Sequence, residues 1–378
     1  MDKPKVCILT SSHKADDDRI FHKQAKSIAG AGYNTSIISP HDADETLEGI
    51  RIKAVPNAGG KVLGKIILRP LFVLATGIRD RADIYHLHDP ELLPAGLILK
   101  LTGKKVVYDA HEYYKQNILS KRSIPWGLRH FIAYFFDRFE TFASMLFNGV
   151  IVVDGSIRAK FGRKAVVISN YPYNPREPVV PKNRGNEFKC VYAGGLSADR
   201  GLFKMIEAMK YVDRPVKLIL LGPLSNEDRI KAENMNGYEK VEYLGLRPWP
   251  EVLKLLPECD LGLVLLQPVP AYILAGEGTV KLYEYMASRL PVLGSNFVNL
   301  ERIIRENGCG ATVDPTNPAI IAEKIMYFAD NPDAASRMGE NGVKAVMARY
   351  NWEKEEEKLL ALYGKILDSK TRGRRCHA

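Results

Sequence analysis

The sequence predicts an α/β protein made of two doubly wound parallel-sheet domains. Two observations carry that prediction. Short apolar strand candidates alternate with helical patterns twice over, once on each side of a proline-rich, aperiodic stretch, YPYNPREPVVPKNRGN, at residues 171–186. The length, 378 residues of which 46% are apolar, is enough for two medium-sized cores.

In order along the chain, strands are expected at Val6–Thr10, Thr35–Ser39, Ile84–His86, Lys105–Tyr108 and Val150–Val153, with helices near Phe21–Ala31 and Leu92–Leu101 between them. Residues 171–186 read as a linker between a domain over 1–170 and a second starting at 187. The second alternation places strands near Lys189–Tyr192, Lys217–Leu220, Val241–Tyr243, Leu261–Leu265 and Pro291–Gly294, followed by a long helical pattern over Ala334–Asp368. Two open parallel sheets of this kind bind ligands at their carboxyl-edge loops, here in a cleft expected between the domains.

The most informative stretch is TVKLYEYMASRLPVLGS at 279–295. Thr279 suits an N-cap, and Val280, Leu282, Tyr283, Met286 and Ala287 supply an apolar face at helical spacing. Glu284 then lies just past the first turn. A helix start offers unpaired N–H groups to a phosphate, and a carboxylate one turn later accepts hydrogen bonds from a pair of sugar hydroxyls. That combination suits a nucleotide diphosphate and its ribose; a surface glutamate pairing with Lys281 is the plainer reading. A dinucleotide fingerprint is missing, because the segment after the first strand reads TSSHKADDD and Gly30-Ala31-Gly32 falls at a helix end.

The five cysteines (Cys7, Cys190, Cys259, Cys309 and Cys376) are scattered without metal-ligand spacing, so a reducing, cytoplasmic setting is expected, with no disulfide framework or zinc site. No long apolar run suggests a leader or a membrane span. The net charge of +10 is accompanied by mixed basic and apolar segments at Lys61–Arg81 and Lys115–Phe147. In the second, Trp126, Phe131, Tyr134, Phe135 and Phe136 stand among Lys121, Arg122, Arg129 and His130, a composition for peripheral contact with an anionic bilayer or for a core stripe. The tail at 369–378 is basic, and with no recognition motif beside the charge, nucleic acid is not an expected partner.

The wording KLYEYMA followed by PVLGS resembles the nucleotide-sugar motif of the retaining glycosyltransferases of family four, which have the two-domain GT-B fold. ADDDRIFHKQAKSIAGAGYNTSIIS, DIYHLHDPELLPAGL and KKVVYDAHEYY resemble the family's first-domain segments. VYAGGLSADRGLFKMIEAM, LILLGP, VEYLG and CDLGLVLL follow its order in the second domain, so the likeness spans nearly the whole chain. It implies a second domain over 187–345 that binds the donor, and a helix over 346–368 crossing back to an acceptor-binding first domain. It also implies a metal-independent enzyme that moves a hexosyl or N-acetylhexosaminyl group from a nucleotide diphosphate sugar to a hydroxyl acceptor, lipid-linked or of a cell-surface glycan, at the inner face of a membrane. The Asp16–Asp18 run is therefore read as a loop or helix start, not as a metal motif, and no cofactor is expected.

Residue by residue, the resemblance assigns Glu284 to the ribose, and Gly194, Gly195, Gly222, Leu246, Gly278, Thr279 and Val280 to nucleotide or sugar contacts. Arg200 matches the later of two phosphate-binding basic residues. The earlier one is glycine here, at Gly194-Gly195-Leu196, and Lys204 is the substitute read from the sequence. The family's paired glutamates have seven residues between them, whereas Glu277 and Glu284 have six; Glu277 therefore stands one position from the family's sugar-binding place. His111 matches a histidine near the anomeric centre, and Asp18, Arg19, His88, Asp89, Asp109 and Glu112 fall in acceptor-side loops. The implied chemistry is front-face attack with retention, the leaving phosphate oxygen helping to deprotonate the acceptor. Two other readings stay open at this stage: a GT-B-like nucleotide-sugar epimerase, and a non-catalytic scaffold that binds nucleotide sugar or glycan.

Overall fold

The computed structural model describes residues 4–57, 64–111, 114–121, 124–175, 187–273 and 279–374. The chain divides into two compact units, Met1–Asn170 with Lys354–Ala378, and Tyr171–Glu353.

The first unit holds an eight-stranded sheet: β1 (Lys5–Leu9), β2 (Asn34–Pro40), β3 (Glu45–Leu47), β4 (Ile50–Val55), β5 (Ile84–Leu87), β6 (Lys105–Ala110), β7 (Gly149–Val152) and β8 (Ala165–Val167). Their spatial order is β3-β4-β2-β1-β5-β6-β7-β8, parallel throughout except for the exposed edge strand β3 against β4. Every residue of β5, β6 and β7 is buried, since helices cover both faces of a parallel sheet; their sequences accordingly read as near-continuous apolar runs. Apart from the tyrosines, His86 and Asp109 are the ionisable residues within β5 and the carboxyl half of β6, and both are fully buried.

The second unit holds β9 (Phe188–Ala193), β10 (Val216–Leu221), β11 (Val241–Gly245), β12 (Leu261–Val264), β13 (Val292–Ser295) and β14 (Gly310–Val313) in the all-parallel order β11-β10-β9-β12-β13-β14. Alternation along β9 fills two cores: Cys190 and Tyr192 enter one cluster with Leu218 and Leu263, Val191 and Ala193 the other with Ile219 and Val264. In both sheets the strand order reverses beside the first strand, between β1 and β5 and between β9 and β12. Those reversals leave crevices at the strands' carboxyl ends.

The Asp16–Asp18 run opens a helix. Asp17 caps it by accepting from the amides of Arg19 at 2.9 Å and Ile20 at 3.1 Å, and a wide π-helical stretch Asp18–Ala25 then tightens into the α-helix Lys26–Gly30. The long carboxyl-terminal pattern is two helices, Pro332–Ala348 and Trp352–Arg374. Asn351 separates them by turning its amide back onto the carbonyls of Val346 at 2.9 Å and Met347 at 3.1 Å. From Lys354 the second helix belongs to the first unit, where Leu362 and Ile366 pack over Gly149 and Lys105 donates to the carbonyls of Ile366 and Leu367. Of the stretch read as a linker, 176–186 lie outside the described residues; Tyr171 is buried against Tyr283 and Tyr350 of the second unit, ring centroids 4.7 and 5.4 Å away.

Candidate active site

The carboxyl ends of β9 and β10 are joined by glycines. The Gly194 amide donates to Leu221 O at 2.8 Å, and Gly222, at φ +135°, lies so close to Gly194 that any Cβ on it would collide with the Gly194 carbonyl. This open turn is flanked by the helix Val280–Ala287, which buries Leu282, Tyr283, Glu284, Tyr285 and Met286. Tyr285 fixes the helix: its ring lies against Gly262, and its hydroxyl accepts from the Ala193 amide at 2.9 Å. Lys281, four residues earlier on the same helical face, consequently lies over the next residue of the strand end, Gly194.

Glu284 is only 9% exposed, and its Oε1 accepts from the Trp249 indole N–H at 2.9 Å. Arg200 folds back over the same turn, its Nη1 donating to Gly195 O at 3.4 Å and its Nε to Tyr272 Oη at 3.2 Å. Burial, then the charge of Arg200, pushes the Lys281 ammonium down to about 8, with Glu284 acting in the opposite sense. Thr279 has the extended backbone of an N-cap but makes no capping bond; its Oγ1 is buried with no hydrogen-bond partner among the described residues.

Gly194, Gly195, Arg200 and the Thr279–Glu284 turn are thus assembled at one strand edge, with Gly222 against Gly194. Lys204 is not among them: its ammonium pairs with Glu207 at 2.9 Å, one turn along its own helix. Leu246 is 73% exposed, beyond the end of β11, and Val280 is half-buried. Glu277 and Gly278 lie outside the described residues. The sequence marks Lys281 only as a pairing partner for Glu284 and does not mark Trp249; no local pattern tells a helix lysine over a distant turn from one facing water.

In the first unit the polar group is centred on Asp109. Arg19 grips its carboxylate with two hydrogen bonds at 3.0 and 3.1 Å and also donates to Ile168 O at 3.0 Å; Gln24 adds a third to the carboxylate at 2.7 Å. Burial is the largest influence on Asp109 and opposes its ionisation, but Arg19, His111 and His88 together outweigh it and hold the carboxyl well below the usual range. His86 and His88 stack with centroids 4.6 Å apart; His86 also contacts Tyr363 Oη through Nδ1 at 2.9 Å. Burial pushes His86 down to about 4 and His88 further, so both are neutral. One donor atom each from His86, His88 and Asp109 lie within 4.8 Å of one another, a spacing seen in metal sites. A cation placed there would meet the Arg19 guanidinium already bound to Asp109.

Asp89 ties down the loop after β1: its Oδ2 accepts from Thr10 Oγ1 at 2.7 Å and from the amides of Ser11 at 2.6 Å and Ser12 at 3.1 Å, while Oδ1 faces His13 Nδ1 at 3.0 Å. His111, with a side chain 12% exposed, has Nδ1 3.2 Å from the Asp109 carbonyl. A carbonyl only accepts, so Nδ1 carries the proton and a neutral His111 keeps the Nε2 lone pair for a ligand. His13 packs edge-on to His111 at 5.3 Å and was not foreseen. The structure therefore brings Arg19, His88, Asp109 and His111 together, with Asp89 beside them through His13; Asp18 turns away to Lys23 at 2.7 Å, and Glu112 lies outside the described residues.

Comparison with known proteins agrees with this architecture. The family model described as Glycosyltransferase Family 4 matches residues 19–170, and the one described as Glycosyl transferases group 1 matches 174–345. An uncharacterized glycosyltransferase of Methanocaldococcus jannaschii is 27% identical over 194 residues, 50% of this chain and 51% of that protein. This chain thus matches about half the length of that relative, and 10% of Arabidopsis thaliana sucrose synthase 2, 31% identical over 85 residues.

Among solved structures, sucrose-phosphate synthase from Thermosynechococcus elongatus has a TM-score of 0.77 at 16% identity, covering 97% of this chain and all of that one. WaaG, a glycosyltransferase involved in lipopolysaccharide biosynthesis, has 0.72 at 16%, covering 95% of this chain and 100% of its own. Anabaena HepE in complex with UDP-glucose has 0.71 at 16%, covering 96% and 99%. With two matched models that together span most of its length, and two switched parallel sheets of the same architecture, the chain belongs to the family-four glycosyltransferases of GT-B fold.

Proposed function

We propose that this protein transfers a hexosyl or N-acetylhexosaminyl group, with retention, from a nucleotide diphosphate sugar to an acceptor hydroxyl. The observation that carries the reading is the nearly buried Glu284 carboxylate beside a glycine turn covered by Arg200. Glu284 takes the ribose hydroxyls. Arg200, the backbone of Gly194 and Gly195, and the start of the Val280–Ala287 helix stabilise the departing diphosphate as fixed donors that need no reorganisation. HepE, a relative in fold, is known in complex with UDP and with UDP-glucose, which supports a donor of this class.

In the front-face reaction the bond from the anomeric carbon to the leaving phosphate oxygen breaks while the acceptor oxygen bonds on the same face. The acceptor proton passes to that phosphate oxygen. His111, with Nε2 free to accept, orients a sugar hydroxyl near the reacting carbon, and Glu277 and Gly278 are assigned to the donor sugar. The diphosphate has cationic partners in the protein, so the reaction is proposed to run without a metal or other cofactor.

The acceptor is proposed to be lipid-linked and met at an anionic membrane surface, in assembly of a cell-surface glycan. The support is the helix Trp126–Leu146, whose inward face is Ala133, Glu140, Ala143 and Ser144, whereas its outward face carries Trp126 at 70% exposure, Phe131 at 60% and Met145 at 63%. Lys121, just before this helix, and Arg138, on it, are exposed, and no described helix is long and apolar enough to cross a membrane.

Thermal stabilisation by uridine, guanosine and adenosine diphosphates and their sugar conjugates, without metal, tests the donor. A ligand at about 100 Kd adds about 2.7 kcal/mol. One base should shift the parent and fail to shift Glu284→Ala. Product that forms only with an added hydroxyl acceptor separates a transferase from an epimerase, and binding without turnover would identify a scaffold. Sedimentation with anionic but not zwitterionic vesicles, lost in a Phe131→Ser/Phe135→Ser variant, checks the membrane contact.

A further inference from the structure

Glycine at position 195 leaves the turn after β9 without the first of the two cations that the family resemblance leads one to expect there. The structure supplies a cation from another part of the chain. Lys281 lies over one glycine of this turn and Arg200 over the next: a Cβ built on Gly194 would collide with the Cε and Nζ of Lys281, and one built on Gly195 would meet Arg200 Nη1 at 2.8 Å. The two glycines therefore lie directly beneath an ammonium and a guanidinium. Lys281 also stands 5.2 Å from the Tyr192 ring centroid.

Among the described residues, neither cation forms an ion pair with a carboxylate. The hydrogen bonds of Arg200 go to a tyrosine hydroxyl and a carbonyl, and Glu284, three residues from Lys281, gives its Oε1 to Trp249. Two like charges held side by side in a largely buried turn repel and lose hydration, a cost that an anion placed between them reverses. Anchoring of Tyr285 to Ala193 makes the arrangement stiff, because it fixes the lysine one helical turn away.

We propose that Lys281 and Arg200 together grip the diphosphate of the nucleotide sugar, Lys281 delivering from the helix the charge that position 195 lacks. The assignment rests on the nucleotide-sugar reading above. It moves the second phosphate contact from Lys204, whose charge is already matched by Glu207. It also explains a glycine at 194: a larger side chain there would displace the ammonium.

Calorimetric titration of the full chain with inorganic pyrophosphate, with the three nucleoside diphosphates and with their nucleosides tests it, using the parent, Lys281→Gln and Lys281→Arg. In Lys281→Gln, affinity for pyrophosphate and for the preferred nucleoside diphosphate should fall about 10- to 100-fold, the range for a lost charged hydrogen bond, with nucleoside affinity unchanged. Lys281→Arg should restore diphosphate binding at pH 7. Between pH 7 and 9 the parent should lose about tenfold more affinity than Lys281→Arg, since a lysine titrating near 8 must take up a proton to bind the anion. Ligand titration is common to both proteins and cancels.

Equal diphosphate affinity in parent and Lys281→Gln would overturn the assignment, as would an equal loss of nucleoside and diphosphate, or a loss that follows Lys204→Gln instead. A parent that binds pyrophosphate through Lys281 but no nucleoside diphosphate would sink the nucleotide-sugar reading while leaving the anion site standing. A parent that binds none of these anions would sink both.

Discussion

The two units share the order of their central parallel strands, reversed beside the first strand, yet treat charge in opposite ways at the edge where a ligand would sit. In the first, acids and bases are matched within the protein: Asp109 by Arg19 and Gln24, Asp89 by His13 and the loop after β1. In the second, Arg200 and Lys281 stand together with no ion pair to an acid among the described residues. A matched buried network holds the loops of the protein itself in place; a pair of unmatched cations is arranged for a charge that arrives from outside. The contrast teaches that equivalent edges of similar sheets can serve as a scaffold and as a receptor.

The largest effect should come from breaking the matched side. Arg19→Met leaves the Asp109 carboxylate, which is fully buried, without its cation and should cost about 3–5 kcal/mol of stability, read as a lowered unfolding midpoint. An unchanged midpoint would mean that the network is not structural. On the unmatched side, Arg200→Ala should lower kcat by about 10²- to 10³-fold, the scale for one lost preorganised donor, with little loss of stability. A fall in stability without a fall in turnover would reverse the comparison.

Acid sharpens it further. His86 has a folded-state value of about 4 against an ordinary 6.5, so the unfolded chain binds its proton first. Its contribution is fully present above about pH 6.5 and declines as the pH falls toward 4, by about 3 kcal/mol at most, with His88 acting in the same direction. Unfolding followed from pH 7 to 4.5 should show this decline, and His86→Gln should flatten it. The smallest effect expected is that of Glu284→Ala: donor affinity weaker by about 1.5–3 kcal/mol, with pyrophosphate binding retained. Unchanged donor affinity would remove Glu284 from the site.

Much of the fold was legible because fully buried parallel strands are apolar at nearly every position. VCIL, VVY and GVIV announce themselves, whereas β4, which alternates half-buried Arg51 and Lys53 with buried residues, the three-residue β3 and β8, and β14 were missed. The receptor helix was legible for a related reason: Leu282, Tyr283 and Met286 repeat at helical spacing, and that spacing placed Glu284. His111 and Asp109 were found through resemblance of YDAHEYY to a family segment. His86, beside Asp109, and His13, beside His111 and Asp89, carry no local pattern that distinguishes them.

By itself the sequence determined two α/β sheets, the element carrying Glu284 and the absence of a dinucleotide fingerprint, since all of these follow from residue types at short spacings. Only tertiary structure decided which charges meet. Lys204 and Lys281 are both helix lysines with an acid within one turn. One pairs with that acid and the other lies over a glycine turn, because Tyr285 binds Ala193 and carries its helix across the end of β9. A contact between residues far apart in the chain depends on how elements pack, and packing is decided by the whole sheet at once.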